Sequence, residues 1–178
     1  MRTRGVHSFV ALAICLGAVA CRSARDTAPE PSKEIARLGQ LVGKWRSHSH
    51  HLARNIKGGV PDTDLTFTCA WTDNRDYLAC WQAGVISGKN VKEVDVYGYS
   101  KESNLYTMVV FLDVADAPPQ VYTNWFAWDG NLWRFLPRDG IRSTWEFQSL
   151  DHHITRTERT EDGKKWDLAA IGDHTRVY

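Results

Sequence analysis

The chain of 178 residues is poor in cysteine, with four, has no excess of either charge, with a formal net charge of +1, and holds one long apolar stretch, Phe9 to Ala20. Each scarcity excludes something. The apolar stretch falls short of the ~20 residues that a spanning helix needs, so it reads as a signal rather than a membrane span. The balance of 22 basic against 21 acidic residues, with no Lys/Arg run, supplies no clustered basic field, so no nucleic-acid partner is expected. Common catalytic signatures are missing too: there is no Gly-x-Ser-x-Gly elbow, His-Glu-x-x-His pair, phosphate-binding loop or Gly-x-Gly-x-x-Gly turn. No cofactor and no recognisable enzyme class follow from the sequence, although an acid/base pair that meets only in space would leave no such trace.

At the N-terminus, Arg2 and Arg4 precede the apolar stretch and small residues lead into Cys21. Gly17-Ala18-Val19-Ala20-Cys21 resembles the lipobox of bacterial lipoproteins, with Ala18 where leucine is usual. The resemblance implies cleavage before Cys21 and a lipid on its sulfur, so that the membrane is a partner through that anchor. The expected organisation is a signal peptide over residues 1–20, a lipidated Cys21 with a tether over 21–32, and one domain over 33–178. Arg2 and Arg4 leave with the signal, bringing the formal charge to −1. Arg22 stands where an aspartate would resemble an inner-membrane retention signal, so the periplasmic face of the outer membrane is favoured if the host has two membranes.

With Cys15 in the signal and Cys21 lipidated, Cys69 and Cys80 remain. They flank a turn centred between Asn74 and Arg75, and in antiparallel strands paired positions sum to a constant, so the two cysteines face each other at a non-hydrogen-bonded pair. Outside the cytoplasm such a pair should oxidise to a structural disulfide.

Arg22 to Pro31 is polar, contains two prolines and has no apolar periodicity, as a tether should. Ser32 reads as an N-cap for a short helix that turns Ile35, Leu38 and Val42 to one face and ends near Gly43. After that, runs rich in Val, Thr, Tyr, Trp and Phe alternate with turn signals. Asp129-Gly130, Asp139-Gly140 and Asp162-Gly163 are read as two-residue hairpin turns. Strands are expected to begin near Lys44, Thr63, Tyr77, Val91, Leu105, Gln120, Leu132, Ile141, His153 and Lys165. With no helices between them, about nine or ten strands make an antiparallel meander, and twist and edge avoidance favour an up-and-down β-barrel.

A short helix leading into Leu41-Val42-Gly43-Lys44-Trp45 resembles the Gly-x-Trp first strand of the calycins, which include the lipocalins and fatty-acid-binding proteins. Val96-Tyr97-Gly98-Tyr99-Ser100 and Asp162-Gly163-Lys164-Lys165-Trp166 resemble bacterial lipocalin-like domains of unknown function. The resemblance implies a barrel with a central cavity, Trp45 packed across one end, and no catalytic residue.

Counting back from Asp129-Gly130 and Asp139-Gly140 sets Arg134 opposite both Trp125 and Trp145. That register puts Val121, Trp125, Leu132, Arg134, Leu136, Trp145 and Phe147 on an inward face. A one-residue slip would instead bring Trp133 and Phe135 inward. A guanidinium between two indoles can hold a carboxylate, so Arg134, Trp125 and Trp145 are the candidate ligand residues, for an acidic amphiphile. Counting around Asp162-Gly163 pairs Thr155 with Ala170, Thr157 with Leu168 and Arg159 with Trp166, making Thr157 a further candidate on the other wall. His48 and His50, with His51, His152 and His153 elsewhere, form at most half a metal site, and no metal is expected. The leading expectation is a membrane-anchored carrier of a small apolar or amphiphilic molecule. The alternative is an envelope interaction protein that docks through an exposed Phe126, Trp128 or Trp133.

Overall fold

The computed structural model describes residues 30–52, 62–86 and 88–178. The signal, Cys21 and all but the last residues of the expected tether lie outside the described residues, as does the Lys57-Gly58-Gly59 turn. Helix α1 (Lys33–Arg37) starts as the sequence predicts: the Ser32 hydroxyl accepts a hydrogen bond from the Ile35 backbone N–H at 3.3 Å. It does not continue as an α-helix to Gly43. Leu38–Leu41 tightens into a 3-10 turn, where residues three apart eclipse. Leu38 and Leu41 are therefore the buried pair, and Val42 is only half-buried.

Ten strands follow: β1 (Gly43–His51), β2 (Thr63–Trp71), β3 (Leu78–Ile86), β4 (Lys89–Ser100), β5 (Leu105–Val114), β6 (Gln120–Asp129), β7 (Leu132–Phe135), β8 (Ile141–Ser149), β9 (His152–Arg159) and β10 (Asp167–Val177). Each pairs antiparallel with its sequence neighbour, and β1 pairs with β10, so the sheet closes into an up-and-down, lipocalin-like barrel. Cys69 and Cys80 are register partners, with Cα atoms 4.0 Å apart, and are joined by a disulfide inside the barrel.

The end of the barrel beside α1 is filled. Trp45, Tyr97, Phe126 and Trp133 are essentially inaccessible, with Leu38 and Leu41 packed into the same core. Burying each such side chain contributes on the order of 1.5–3 kcal/mol. The Trp45 indole N–H donates to the Leu41 carbonyl at 2.8 Å, which satisfies its one polar atom. Arg176 lies over the Trp45 ring at 4.4 Å and ties three segments together. It donates to the carbonyls of Gln40, Val42 and Leu150 and to the Asp151 carboxylate. Gly43 makes room for it: at φ +123°, a Cβ there would lie 2.5 Å from the guanidinium.

Three of the expected registers change. The first hairpin turns on Gly130-Asn131, with Asp129 paired to Leu132, so Arg134 faces Ala127 rather than Trp125. Gly130 has φ +61°, which suits a turn with glycine at its first central position. The second hairpin does turn on Asp139-Gly140, both at positive φ, with Arg138 and Ile141 exchanging hydrogen bonds. The ladder beyond it then slips by one residue, so Trp133, not Arg134, pairs with Trp145. The phase changes across Pro137: the Arg138 N–H donates toward β8, whereas the Leu136 N–H, which regular alternation would also direct to β8, goes to the Trp125 carbonyl on the β6 side. Third, Asp162-Gly163 is not a two-residue turn. The Asp162 carboxylate accepts from the Lys164 and Lys165 N–H groups and organises a loop, so β10 starts at Asp167. Thr157 then pairs with Ala170 and Thr155 with Gly172.

Candidate functional site

Register decides which side chains enter the lumen. Trp133 and Phe135 point inward and are buried, while Val121, Trp125, Leu132 and Arg134 point outward; Leu136, just past β7, is exposed and borders the cavity described below. The inward placement of Trp125 and Arg134 is thus corrected: Trp125 is exposed, and Arg134 pairs with Asp129 at 3.4 Å on the outer face. Trp145 and Phe147 do face inward, because the slip at Pro137 changes their partners and leaves their own phase intact. Thr157 also faces the lumen, its hydroxyl 3.1 Å from that of Ser143.

The surface readings change in the same way. Phe126 and Trp133 are fully buried and Trp128 is half-buried, so none is an exposed docking residue. The outer apolar side chains instead include Trp81, Phe111 and Val121, which with Val94 form one register row across β3, β4, β5 and β6. His48 and His50 are also on the outer face, bonded to Asp64 and Asp62 at 3.1 and 2.8 Å. His152 pairs with Asp173 at 2.9 Å. Among the described residues, no group of three or more His, Cys, Asp or Glu side chains is placed to hold a metal ion.

Away from the aromatic plug the lumen is incompletely filled and of mixed polarity. A cavity of about 500 Å³ lies against β5, β6 and β8. Its walls combine Met108, Phe135 and Trp145 with Tyr122, Asn124 and Ser143. Arg138 and Arg142 line it as well, but both are engaged. Arg142 makes a two-pronged contact with Glu158 at 2.7 and 3.1 Å and stacks on Trp166. Arg138 pairs with Asp139 and lies over the Tyr122 ring at 5.1 Å. A second hollow, of about 360 Å³, lies at the β9–β10 loop, where the Asp162 carboxylate is used by backbone N–H groups and Lys165 pairs with Asp167.

Two polar clusters occupy the lumen. On β9 and β10, His153 and His174 are register partners whose rings stack with centroids 4.3 Å apart and planes within 4°. Trp145 stacks on both. Neither nitrogen of His153 has a hydrogen-bond partner among the described residues, and His174 uses only Nε2, toward the Thr155 hydroxyl at 3.2 Å. Burial, then the neighbouring His174, pushes His153 down to about 2, and burial takes His174 down to about 4, so both rings are neutral at ordinary pH.

The other cluster joins β3 and β4. The Gln82 amide donates to Glu93 and to Asp95, each at 2.7 Å. Burial and the adjacent Glu93 carboxyl hold Asp95 well above the usual carboxylate range, and burial raises Glu93. Cross-strand pairing sets these positions behind the cavity wall, which neither acid lines: Glu93 faces Leu112, which faces Gln120, and Asp95 faces Val110, which faces Tyr122. Tyr122 responds, its hydroxyl pushed up to about 12 by burial and then by the Glu93 and Asp95 charges.

Sequence reading missed this cluster for a physical reason. On β4 the inward phase is Val91, Glu93, Asp95, Tyr97 and Tyr99, and the outward phase holds Val94 and Val96. Acids inside and valines outside invert the pattern by which a half-buried strand announces its faces. The available signal was the aromatic pair Tyr97 and Tyr99 in phase with the acids.

No family model and no curated protein matches the sequence. Among solved structures, the fold is similar to the crystal structure of Rv2717c from M. tuberculosis, at 11% identity and a TM-score of 0.54, covering 84% of this chain and 100% of that one. A protein with unknown function from the DUF3598 family of Nostoc punctiforme PCC 73102 matches at 8% identity over 78% of this chain and 97% of that one, with a TM-score of 0.22. At 11% identity, the likeness to Rv2717c is one of fold alone.

Proposed function

We propose that this protein is a lipid-anchored envelope lipoprotein whose barrel holds a small amphiphilic molecule, binding it rather than transforming it. One observation carries the reading. The lumen is divided into a close-packed aromatic end and an unfilled cavity of about 500 Å³, within the range of small-molecule sites. Its mixed lining suits an amphiphile, with Met108, Phe135 and Trp145 offering apolar and aromatic faces and Tyr122, Asn124 and Ser143 offering hydrogen bonds. The membrane end of the proposal rests on the charged, apolar and small-residue succession before Cys21.

The test has two parts. Native mass spectrometry of the full chain purified from its own envelope should show a co-purifying small molecule, recoverable in an organic extract, and Ser143→Trp should abolish its retention. A chain that is empty and takes up no amphiphile would refute the carrier reading. Labelled fatty acid should be incorporated into the wild type and not into Cys21→Ser; equal labelling of both would refute the anchor. An envelope interaction protein is the less supported alternative, since the outer row of Trp81, Val94, Phe111 and Val121 is apolar but nothing at it identifies a partner.

A further inference from the structure

The outer wall of the barrel has two unlike sides. Around β1, β2, β8, β9 and β10 it is a coat of ion pairs, among them Arg46–Asp64, His152–Asp173 and Arg156–Glu146. Among the described residues, no ion pair involves β3, β4 or β5. Register shows why. The rows that cross these strands and β6 on the outside are Trp81–Val94–Phe111–Val121 and, beside it, Ala79–Val96–Val109–Thr123. Trp81, Phe111 and Val121 are 51%, 47% and 65% exposed. Charge on the outward positions stands at the margins, at Lys92 with its register partner Asp113 and at Asp129, which pairs with Arg134. A contiguous apolar face of this kind marks an interaction surface.

Two further observations bear on what covers it. The first is the cavity mouth. The Leu136 N–H bonds to the carbonyl of Trp125, the outward residue of β6 that follows Thr123, so Leu136 extends the face. Leu136 and Ile141 both line the cavity of about 500 Å³ and are both exposed, so the cavity meets solvent at the border of the apolar face. The second is where the chain enters. Helix α1 packs on β4, and Arg37 at its end lies over Trp128 of β6, so the segment that follows Cys21 joins the barrel on the side of these strands. The 11 residue steps from Cys21 to Ser32 reach at most about 40 Å. Val94 lies six residues along β4 from Ser100 at that end, about 20 Å. A lipid on Cys21 therefore leaves this face within reach of the bilayer that holds the lipid.

Resting on the lipid-anchored carrier reading above, we propose that the outer face of β3, β4, β5 and β6 lies on the bilayer that holds the Cys21 lipid, which sets the cavity mouth at Leu136 against a source of amphiphile. The chemistry of the face fits that partner. Trp81 and Trp125 are of the residue type that settles where hydrocarbon meets headgroups, and Lys92 at the margin suits an anionic headgroup. A protein partner is selected by charges and polar groups placed to pair with it or to repel its competitors, and this face offers few. A lipid surface needs none. The ion-paired side, around β1 and β10, then stays in water.

An environment-sensitive dye on single introduced cysteines tests this in the lipidated protein, reconstituted in vesicles of phosphatidylethanolamine and phosphatidylglycerol. Thr123→Cys and Trp125→Cys place the dye on the face, and Thr175→Cys places it on β10, across the barrel from β5. A nitroxide-labelled phosphatidylcholine in the vesicles should quench the first two at least about two-fold more than the third. Trp81→Ser with Phe111→Ser, both at exposed positions outside the cavity, should bring quenching at position 123 down to the level at 175. The three-dye comparison stands without that variant, so the proposal stays testable even if the variant fails to fold. Equally weak quenching at all three positions overturns the face and leaves the anchor intact. A dye at 123 that is shifted to the blue yet unquenched, as a second copy of the protein would make it, overturns the assignment to lipid. A protein that does not float with the vesicles at all refutes the anchor reading, and this proposal falls with it.

Discussion

Acidification should unfold this protein through two histidines, and the size of the effect follows from their burial. A histidine in an unfolded chain has a pKa near 6.5, whereas in the barrel His174 is held at about 4 and His153 at about 2. Because the folded values are the lower ones, the unfolded chain binds more protons, and the stabilisation present above pH ~6.5 is lost as the pH falls toward the folded values. At pH ~4.5 each ring costs the fold about 2.5 kcal/mol relative to neutral pH, and the pair about 5 kcal/mol. For His153 the cost at this pH is set almost wholly by protonation of the unfolded chain, so it hardly depends on how far below 4.5 the folded value lies. The loss is comparable to the entire stability of an ordinary domain, about 5–15 kcal/mol. Glu93 and Asp95 act in the opposite sense, since their raised folded values favour the native state as the pH falls toward the usual carboxylate range. The comparison must therefore be made between variants. Urea denaturation followed by tryptophan fluorescence at pH ~7.5, ~6.5, ~5.5 and ~4.5 should show a midpoint that falls steeply in the wild type. In His153→Phe, which keeps a ring against Trp145, about 2.5 kcal/mol of that dependence should vanish, and in His153→Phe with His174→Phe most of it. A double variant with the wild-type pH profile would refute the idea that these rings are held neutral by the lumen.

Further outcomes follow from other contacts. Arg176→Ala removes the donors that join the 3-10 turn, the β8–β9 loop and β10, and should cost about 3–5 kcal/mol by chemical denaturation, with Arg176→Lys recovering only part because it lacks the planar fork. Reducing the Cys69–Cys80 disulfide, with its sequence separation of 11, should lower stability by about 3 kcal/mol in the chain-entropy model and lower the thermal midpoint accordingly. Arg134→Ala should change stability by no more than about 0.5 kcal/mol and leave ligand affinity at the wild-type value, because its pairing with Asp129 is on the outer surface. Trp145→Ala should weaken amphiphile binding measurably; equal binding by both variants would move the ligand away from the cavity.

The parts of this architecture visible in the sequence are those governed by neighbours along the chain. The N-cap at Ser32, the positive-φ turn at Asp139-Gly140 and the pairing of Cys69 with Cys80 depend on local stereochemistry and on counting across one hairpin. Strand alternation, with turn signals between, sufficed for ten strands and a closed antiparallel barrel. The positions of Trp125, Arg134 and the lumen acids depended on phase, which local pattern leaves free when both faces carry aromatic or β-branched residues. A change of phase across Pro137, a turn displaced to Gly130-Asn131 and the closure of β1 on β10 settled it together. Closure made inward positions scarce and dry, and only then did Glu93, Asp95, His153 and His174 become unusual. Their chemistry comes from being taken out of water, which is a property of the assembled wall and of no segment alone.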